Sequence, residues 1–153
     1  MTRSTSNIGG TSRSGDPFNL RRFLDAQQHV YVSILSELTE GRKRGHWIWF
    51  IFPQLKGLGH SLNSEFYGIA SLQEATAYLQ HPVLGLRIYE CIQLVTALEG
   101  QTAEEIFGEI DAMKFRSSMT LFAKASRGNH IFIHALQKYF AGEFDPVTLR
   151  MLQ

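Results

Sequence analysis

Apolar residues recur at helical spacing over most of the chain. Between residues 20 and 38 they repeat every three or four positions, which predicts one long first helix. Asp16 and Pro17 stand directly before this stretch, as an N-cap and a first-turn proline would, and Gly41 follows Glu40 as a C-cap would. The first predicted helix therefore runs from about Pro17 to about Glu40.

Later helices are predicted mainly from the residues that open them. Ser71 and Thr102 each stand three residues before a glutamate, which is the capping-box pattern, and Asp145 precedes Pro146. Apolar periodicity predicts three longer helices, one that opens at His81-Pro82 and continues to Leu98, and two over residues 110–125 and 129–141. No segment alternates apolar and polar residues with turn residues at both ends. We therefore expect an all-α protein, a single compact domain of about seven or eight helices over residues 17–153.

Residues 46–61 combine a dense aromatic run with turning backbone. Four of the six residues from Trp47 to Phe52 are Trp or Phe. We favour a short helix here over an extended run, and on a helix Trp47 and Phe50 share one side while Trp49 and Phe52 project elsewhere. At least one ring should then meet a cleft or a neighbouring chain. The alternative is that these rings form the centre of the helical core.

The polar residues around this aromatic run could complete a ligand site. His46 directly precedes the run and is the best candidate for a functional imidazole, while Gln54 follows it. Gly57 and Gly59 then allow a tight turn, and Ser61, Asn63 or Ser64 could cap a short helix through Tyr67. This glycine loop only partly resembles a phosphate-binding loop, and a plain turn is the alternative.

A second polar concentration lies in the predicted helix over 110–125. Asp111, Lys114 and Ser118 fall at i, i+3 and i+7 on one helical face, and Ser117 lies beside them. A carboxylate, an ammonium group and a hydroxyl on one face could support proton transfer and charge stabilisation. The alternative is a solvated, ion-paired surface.

Charge and cysteine content exclude several classes of protein. The formal net charge is +1, and residues 17–153 carry 13 basic and 13 acidic side chains, so bulk binding of nucleic acid is not expected. The single Cys91 cannot form an internal disulfide and fits a cytoplasmic protein. The longest apolar run is too short to span a membrane. Residues 1–16, rich in Ser, Thr and Gly, are predicted to form a disordered tail.

No metal site or cofactor is expected. His130 and His134 stand four residues apart, a spacing that can hold a metal ion on a helix. No glutamate of an HExxH motif lies between them, and no third ligand is evident. We therefore interpret these two histidines as surface or capping residues.

Several motifs together resemble the DUF1810 family, which has the Rv1873-like fold. They occur in the family's order over residues 17–152 and are His46–Gln54, Gly57-Leu58-Gly59, Tyr67-Gly68-Ile69, Tyr78-Leu79, His81-Pro82, Leu84-Gly85, Ile106-Phe107-Gly108, Asp111 with Lys114, and Ser117–Phe122. The resemblance implies a mainly helical fold but no established catalytic residues. A more distant similarity, in the Trp-rich entry and the later Asp/Lys-bearing helix, is to the NADAR group, which acts on ADP-ribose-type N-glycosidic linkages.

We expect a polar-aromatic pocket that binds a small molecule containing ribose or a nucleotide, with hydrolysis of an N-glycosidic bond as its chemistry. The alternative is a non-catalytic protein-interaction or assembly module of unassigned oligomeric state. In an enzyme, Asp111 would be the acid/base or oxocarbenium-stabilising carboxylate, and Lys114 would be its charge partner. The candidate ligand-binding residues are His46, Trp47, Trp49, Gln54, Gly57, Gly59, Ser61, Tyr67, Ser117 and Ser118.

Overall fold

A computed structural model describes residues 15–153 of the chain. This part is helical, with one isolated parallel bridge between Leu55 and Ile69. It contains ten helices: α1 (Arg21–Gln27), α2 (Tyr31–Glu40), α3 (Ile48–Ile51), α4 (Leu62–Phe66), α5 (Leu72–Gln80), α6 (Leu84–Thr96), α7 (Ala103–Phe107), α8 (Glu109–Ala125), α9 (His130–Phe140) and α10 (Pro146–Met151). The all-α prediction is confirmed. The disordered tail predicted for residues 1–16 lies almost wholly outside the described residues.

Several helices start at the capping residues that the sequence indicates. The Thr102 hydroxyl accepts from the backbone N–H of Glu105, whose carboxylate accepts from the N–H of Thr102, so the capping box of α7 is complete. Asp145 caps α10 by accepting from the N–H of Thr148, and Ser71 caps α5 by accepting from the N–H of Glu74. Each such bond satisfies one of the N–H groups that a helix start leaves free.

The predicted total of seven or eight helices is too low, chiefly because the first predicted helix is divided. Turn residues 28–30 separate α1 from α2. The Asp16 carboxylate accepts from the N–H groups of Leu20 and Arg21, so regular helix begins only at Arg21. The side-chain amide of Gln27 donates to the carbonyl of Phe50 at 2.7 Å, which ties the end of α1 to α3. Local sequence preferences could not have predicted this bond, because it joins residues 23 positions apart.

Helix α8 occupies the middle of the fold and packs against α3, α5, α7, α9 and α10. Its inward face carries Phe115, which is fully buried and meets Phe52 with ring centroids 4.9 Å apart and Phe107 at 4.7 Å. Each buried aromatic ring of this kind contributes about 1.5–3 kcal/mol through removal of apolar area from water. The cluster fixes α3 and α7 against the N-terminal half of α8.

A buried ion pair holds the N-terminal helix in place. Arg22 contacts Glu74 at 2.6 Å, and both side chains are less than one-tenth exposed. The same guanidinium donates to the carbonyls of Phe66 and Gly68, and the second carboxylate oxygen of Glu74 accepts from the N–H of Ala70. The polar atoms of this pair are therefore well supplied with partners, which offsets the cost of burying the two charges.

Within residues 15–153, no helix combines the length and the apolar character that crossing a membrane requires.

Candidate functional site

Asp111 lies between two lysines in the first turn of α8. Its Oδ2 is 2.7 Å from Nζ of Lys43, and its Oδ1 is 3.6 Å from Nζ of Lys114. The short contact involves a Lys43 side chain that is only 7% exposed, whereas Lys114 is 22% exposed. Asp111 therefore makes one tight, buried ion pair and one loose pair near the surface.

The backbone at Gly108 gives Asp111 this position. Gly108 alone separates α7 from α8, with φ 85° and ψ 161°, a conformation that is essentially restricted to glycine. The new helix direction that starts there puts Asp111 in the first turn of α8, where the positive end of the helix dipole also favours a carboxylate.

Lys43 is held by the connection between α2 and α3. Its backbone N–H donates to the carbonyl of Ile106 at 2.8 Å, and its ammonium group donates to the carbonyl of Gly45. The ammonium also lies 5.2 Å from the ring centroid of Trp47. Lys43 is therefore a fixed positive charge, and its pairing with Asp111 locks the connection onto the start of α8.

Trp47 is a structural residue in this arrangement. It is only 3% exposed, and its indole N–H donates to Oε1 of Glu37 at 2.9 Å. The prediction that Trp47 is a ligand-binding residue does not fit this burial, because almost none of the residue is accessible and the indole nitrogen already has its partner. Packing against Phe52, with centroids 6.3 Å apart, completes its environment.

Glu37 collects the donors around Trp47 on a single carboxylate. Burial alone would raise the pKa of Glu37, but hydrogen bonds from the N–H of Arg44, the indole of Trp47 and the N–H of Gly45, with the charge of Lys43, lower the pKa below its usual value. A carboxylate that accepts three such bonds organises the turn that leads into α3.

Trp49 is the aromatic residue that the structure places beside Lys114. The ammonium of Lys114 lies 5.2 Å from the Trp49 ring centroid, within the range of a cation–π contact. The ring is partly exposed, yet its indole N–H is buried and has no hydrogen-bond partner within residues 15–153. A buried donor without a partner is costly, so this nitrogen is an unfavourable feature of the packing around Trp49.

The two serines on α8 differ in their surroundings. The Ser117 hydroxyl lies 3.1 Å from both the carbonyl of Met113 and the carboxylate of Asp145, so it supports the cap of α10. Ser118 is fully buried, and its hydroxyl has no partner within the described residues. Ser118 lies one helical turn after Lys114, on the same face of α8.

The glycine loop and the residues after it have local structural roles. The Ser61 hydroxyl accepts from the N–H of Ser64 and so caps α4, which confirms the predicted short helix. A Cβ at Gly59 would lie 2.3 Å from the hydroxyl of Ser64, and one at Gly57 would lie 3.2 Å from Met151. Gly57 also has φ 101°, which a side chain would strain. These contacts explain both glycines through packing and turn geometry.

The remaining predicted ligand residues are dispersed around α3. Gln54 is largely buried, and its backbone carbonyl accepts from the backbone N–H of Ile69 at 2.9 Å. Tyr67 packs on Phe50 with centroids 5.5 Å apart, and burial raises the pKa of its hydroxyl. His46 is exposed to solvent before α3. Of the candidate residues from the sequence, Lys114 contacts Asp111 directly, Trp49 contacts Lys114, and Trp47 contacts Lys43.

Concave surface is found elsewhere on the described part of the protein. Four concavities are lined by residues of α5, α6, α8 to α10 and adjoining turns, and none of the four includes Trp49, Asp111 or Lys114. His130 and His134 are both exposed, and within residues 15–153 no three His, Cys, Asp or Glu side chains form a metal-binding group.

Two members of this cluster, Lys43 and Glu37, were not predicted from the sequence. Lys43 stands in a basic connection, residues 42–44, whose composition suggests a solvated turn. Glu37 occupies an unremarkable position near the end of α2. The one local indication was that the basic connection immediately precedes the aromatic run, so its side chains had to lie near it.

The fold and its residues define the chain as a member of the family described as "Protein of unknown function (DUF1810)", whose profile matches residues 17–152. A similar solved structure is the crystal structure of the conserved hypothetical protein Rv1873 from Mycobacterium tuberculosis. The two chains are 54% identical, and the match covers 90% of this chain and 98% of that chain with a TM-score of 0.88. No curated protein matches the chain. The family resemblance of the sequence is confirmed.

Proposed function

We propose that this protein binds a small, anionic, ribose- or nucleotide-containing molecule at the surface formed by Trp49, Asp111 and Lys114. The observation that carries the proposal is the placement of Lys114 between an aromatic ring and a carboxylate, with a loose 3.6 Å contact to the latter. Such a contact is longer than a hydrogen bond, so the ammonium can exchange it for a ligand phosphate.

Each of the three groups suits one part of such a ligand. The partly exposed side chain of Trp49 offers a stacking surface to a base. Lys114 supplies the positive charge for a phosphate. The outer oxygen of Asp111 can accept from a ribose hydroxyl, while Lys43 holds the inner one.

The same arrangement would support hydrolysis of an N-glycosidic bond. When the bond between C1′ and nitrogen breaks, the electron pair leaves with the nitrogen and positive charge develops on C1′. Water then adds its oxygen to C1′, and its proton balances the charge on the leaving group. Asp111 would stabilise the developing positive charge, because Lys43 fixes the position of the carboxylate.

Binding is tested by titration with ADP-ribose, NAD and AMP, followed by tryptophan fluorescence and by thermal shift. Stacking of a base is worth about 1–3 kcal/mol, so a micromolar to millimolar ligand should quench Trp49 and raise the melting temperature. Lys114→Met should weaken binding about tenfold or more through loss of a charge-assisted contact. Lys56→Met removes an exposed lysine outside the cluster and is the matched control.

Turnover is tested separately by chromatographic detection of free ribose or base. We expect Asp111→Asn to retain ligand binding and lose turnover. No fluorescence change and no thermal shift with any of the three ligands at millimolar concentration would refute the binding proposal itself.

One observation favours the second candidate, a non-catalytic assembly module. Ile110 and Met113 flank Asp111 on α8 and are 70% and 69% exposed. Large apolar side chains at this exposure are typical of contact surfaces when they cluster. Sedimentation of wild type and of Met113→Gln distinguishes this candidate, because a self-association that the substitution abolishes would support it.

A further inference from the structure

A second surface, separate from Asp111, forms a groove between α5 and the C-terminal end of α8. It consists of two concavities of about 470 Å³ and 420 Å³. Both are lined by Thr76, Gln80, Ala125 and Arg127, so they adjoin each other along these residues. A molecule that fills both must be elongated, which favours an extended chain segment over a compact metabolite.

The ends of the groove are apolar. Phe18 and Leu72 line the first concavity, and Leu79 and Tyr89 line the second. All four side chains are only partly buried. Apolar side chains at alternate positions of an extended peptide could occupy such a surface, as in other modes of peptide recognition.

The charges along the groove have one sign. Lys124 and Arg127 are exposed and line it, and no aspartate or glutamate side chain does. Within residues 15–153 neither cation makes an ion pair. Exposed Gln73 and Gln80 add amide groups that can donate to and accept from a peptide backbone.

Arg127 occupies a backbone position that normally favours glycine. Its φ is 59°, in the left-handed region, and Gly128 follows with φ 85°. The N–H of Gly128 donates to the carbonyl of Ala123 at 2.7 Å, which closes the end of α8. Left-handed backbone is unfavourable for a residue with a side chain, so arginine at this position makes the folded protein less stable than glycine would. A residue held at such a cost is a candidate for a role in recognition.

We propose that this groove binds an extended acidic segment of a partner protein. Glutamate or aspartate side chains of the segment pair with Lys124 and Arg127, and its apolar side chains lie on Leu72 and Tyr89. The chain's own residues 1–14 fit the groove poorly in charge, because they contain Arg3 and Arg13 and no acidic residue.

The test uses the full-length protein and a short fluorescein-labelled peptide in which leucine alternates with glutamate, followed by fluorescence anisotropy. We expect saturable binding that weakens as salt is added, because the attraction is between partly exposed charges. The same peptide with lysine in place of glutamate should not bind. Equal binding of both peptides, or no binding of the acidic one at millimolar protein, overturns the proposal.

Two variants separate recognition from folding. Lys124→Gln and Arg127→Gly should each weaken binding about two- to fivefold, the effect of one exposed charge pair. Arg127→Gly should also melt at the wild-type temperature or above it, since glycine suits the left-handed backbone. Arg21→Gln removes an exposed arginine outside the groove and should leave binding unchanged. Unchanged affinity in the Lys124→Gln/Arg127→Gly double variant overturns the proposal.

Two other occupants have their own outcomes. If deletion of residues 1–14 raises the affinity for the acidic peptide, the chain's own N-terminal segment competes for the groove and an external partner is not its occupant. If sedimentation shows a dimer that Arg127→Gly dissociates, a second copy of the chain fills the groove. Either result overturns the proposal.

Discussion

Asp111→Asn tests the physical account of the cluster most directly. The substitution keeps the size of the side chain but removes the negative charge that faces Lys43, whose side chain is 7% exposed. Removal of one member of a buried pair costs about 3–5 kcal/mol, because the other charge stays buried without compensation. Lys43 retains its bond to the carbonyl of Gly45 and its contact with Trp47, so we expect a loss near the lower limit, about 3 kcal/mol.

The contrast with Lys114 makes the reasoning specific. Lys114→Met removes the 3.6 Å pair, in which both side chains are about one-fifth exposed, and the contact of the ammonium with the Trp49 ring, and should cost about 1–2 kcal/mol at most. The double variant Lys43→Met/Asp111→Asn removes both charges of the buried pair. It should be no less stable than Asp111→Asn alone, because no buried charge is then left without its partner.

Urea unfolding followed by tryptophan fluorescence measures these differences, and calorimetry checks them. For a chain of this size about 3 kcal/mol corresponds to a fall of about 6–12 °C in melting temperature. A loss below about 1 kcal/mol for Asp111→Asn, or a double variant clearly less stable than Asp111→Asn, would show that Lys43 and Asp111 do not form the buried pair that holds the start of α8.

Three further substitutions or reactions test other parts of the structure. Burial raises the pKa of Cys91 to about 12, so at pH 8 the thiol of the folded protein should not react with Ellman's reagent. One thiol per chain should react in urea. Rapid reaction of the folded protein would contradict the burial of Cys91. The pKa of Glu37 is lowered in the folded state, so the stability that its carboxylate contributes is complete above the unfolded-state pKa and is lost as the pH falls through the folded-state pKa. Urea midpoints of Glu37→Gln should therefore change less between pH 5 and pH 3 than those of wild type. Parallel curves for the two proteins would contradict this. A Cβ at Gly85 would lie 2.1 Å from the carbonyl oxygen of Leu79. Calorimetry of Gly85→Ala should therefore show a free energy of unfolding lower by about 1–3 kcal/mol or more. An unchanged melting temperature would count against this close approach.

Local sequence chemistry predicted the helix starts well. The caps at Ser61, Ser71, Thr102 and Asp145 depend on residues within three positions of one another, so the sequence displays the whole interaction. The turn at residues 28–30 contains no glycine or proline, and its placement depends on the bond between Gln27 and Phe50. Local sequence preferences do not predict such bonds between distant segments.

The candidate site also combines features that the sequence indicates with features that depend on tertiary packing. Asp111 and Lys114 share a helical face, so their spacing alone indicated a joint role. The stronger partner, Lys43, depends on the packing of the connection before α3 against α7, which no spacing rule reports. The structure places the aromatic run beside α8, but the sequence could not tell that Trp47 would be covered while Trp49 stayed partly exposed, because that depends on which side chains pack over each ring.

The ion pair between Arg22 and Glu74 also has a consequence for synthesis on the ribosome. The partners of Arg22 at Phe66, Gly68 and Glu74 follow it by 44 to 52 positions. At about 5–20 residues per second, Arg22 leaves the exit tunnel about 3–10 s before Glu74 does. Phe23, which is fully buried in the finished protein, is exposed throughout that interval. Helix α1 therefore presents an apolar surface that a nascent-chain chaperone can bind until α5 emerges.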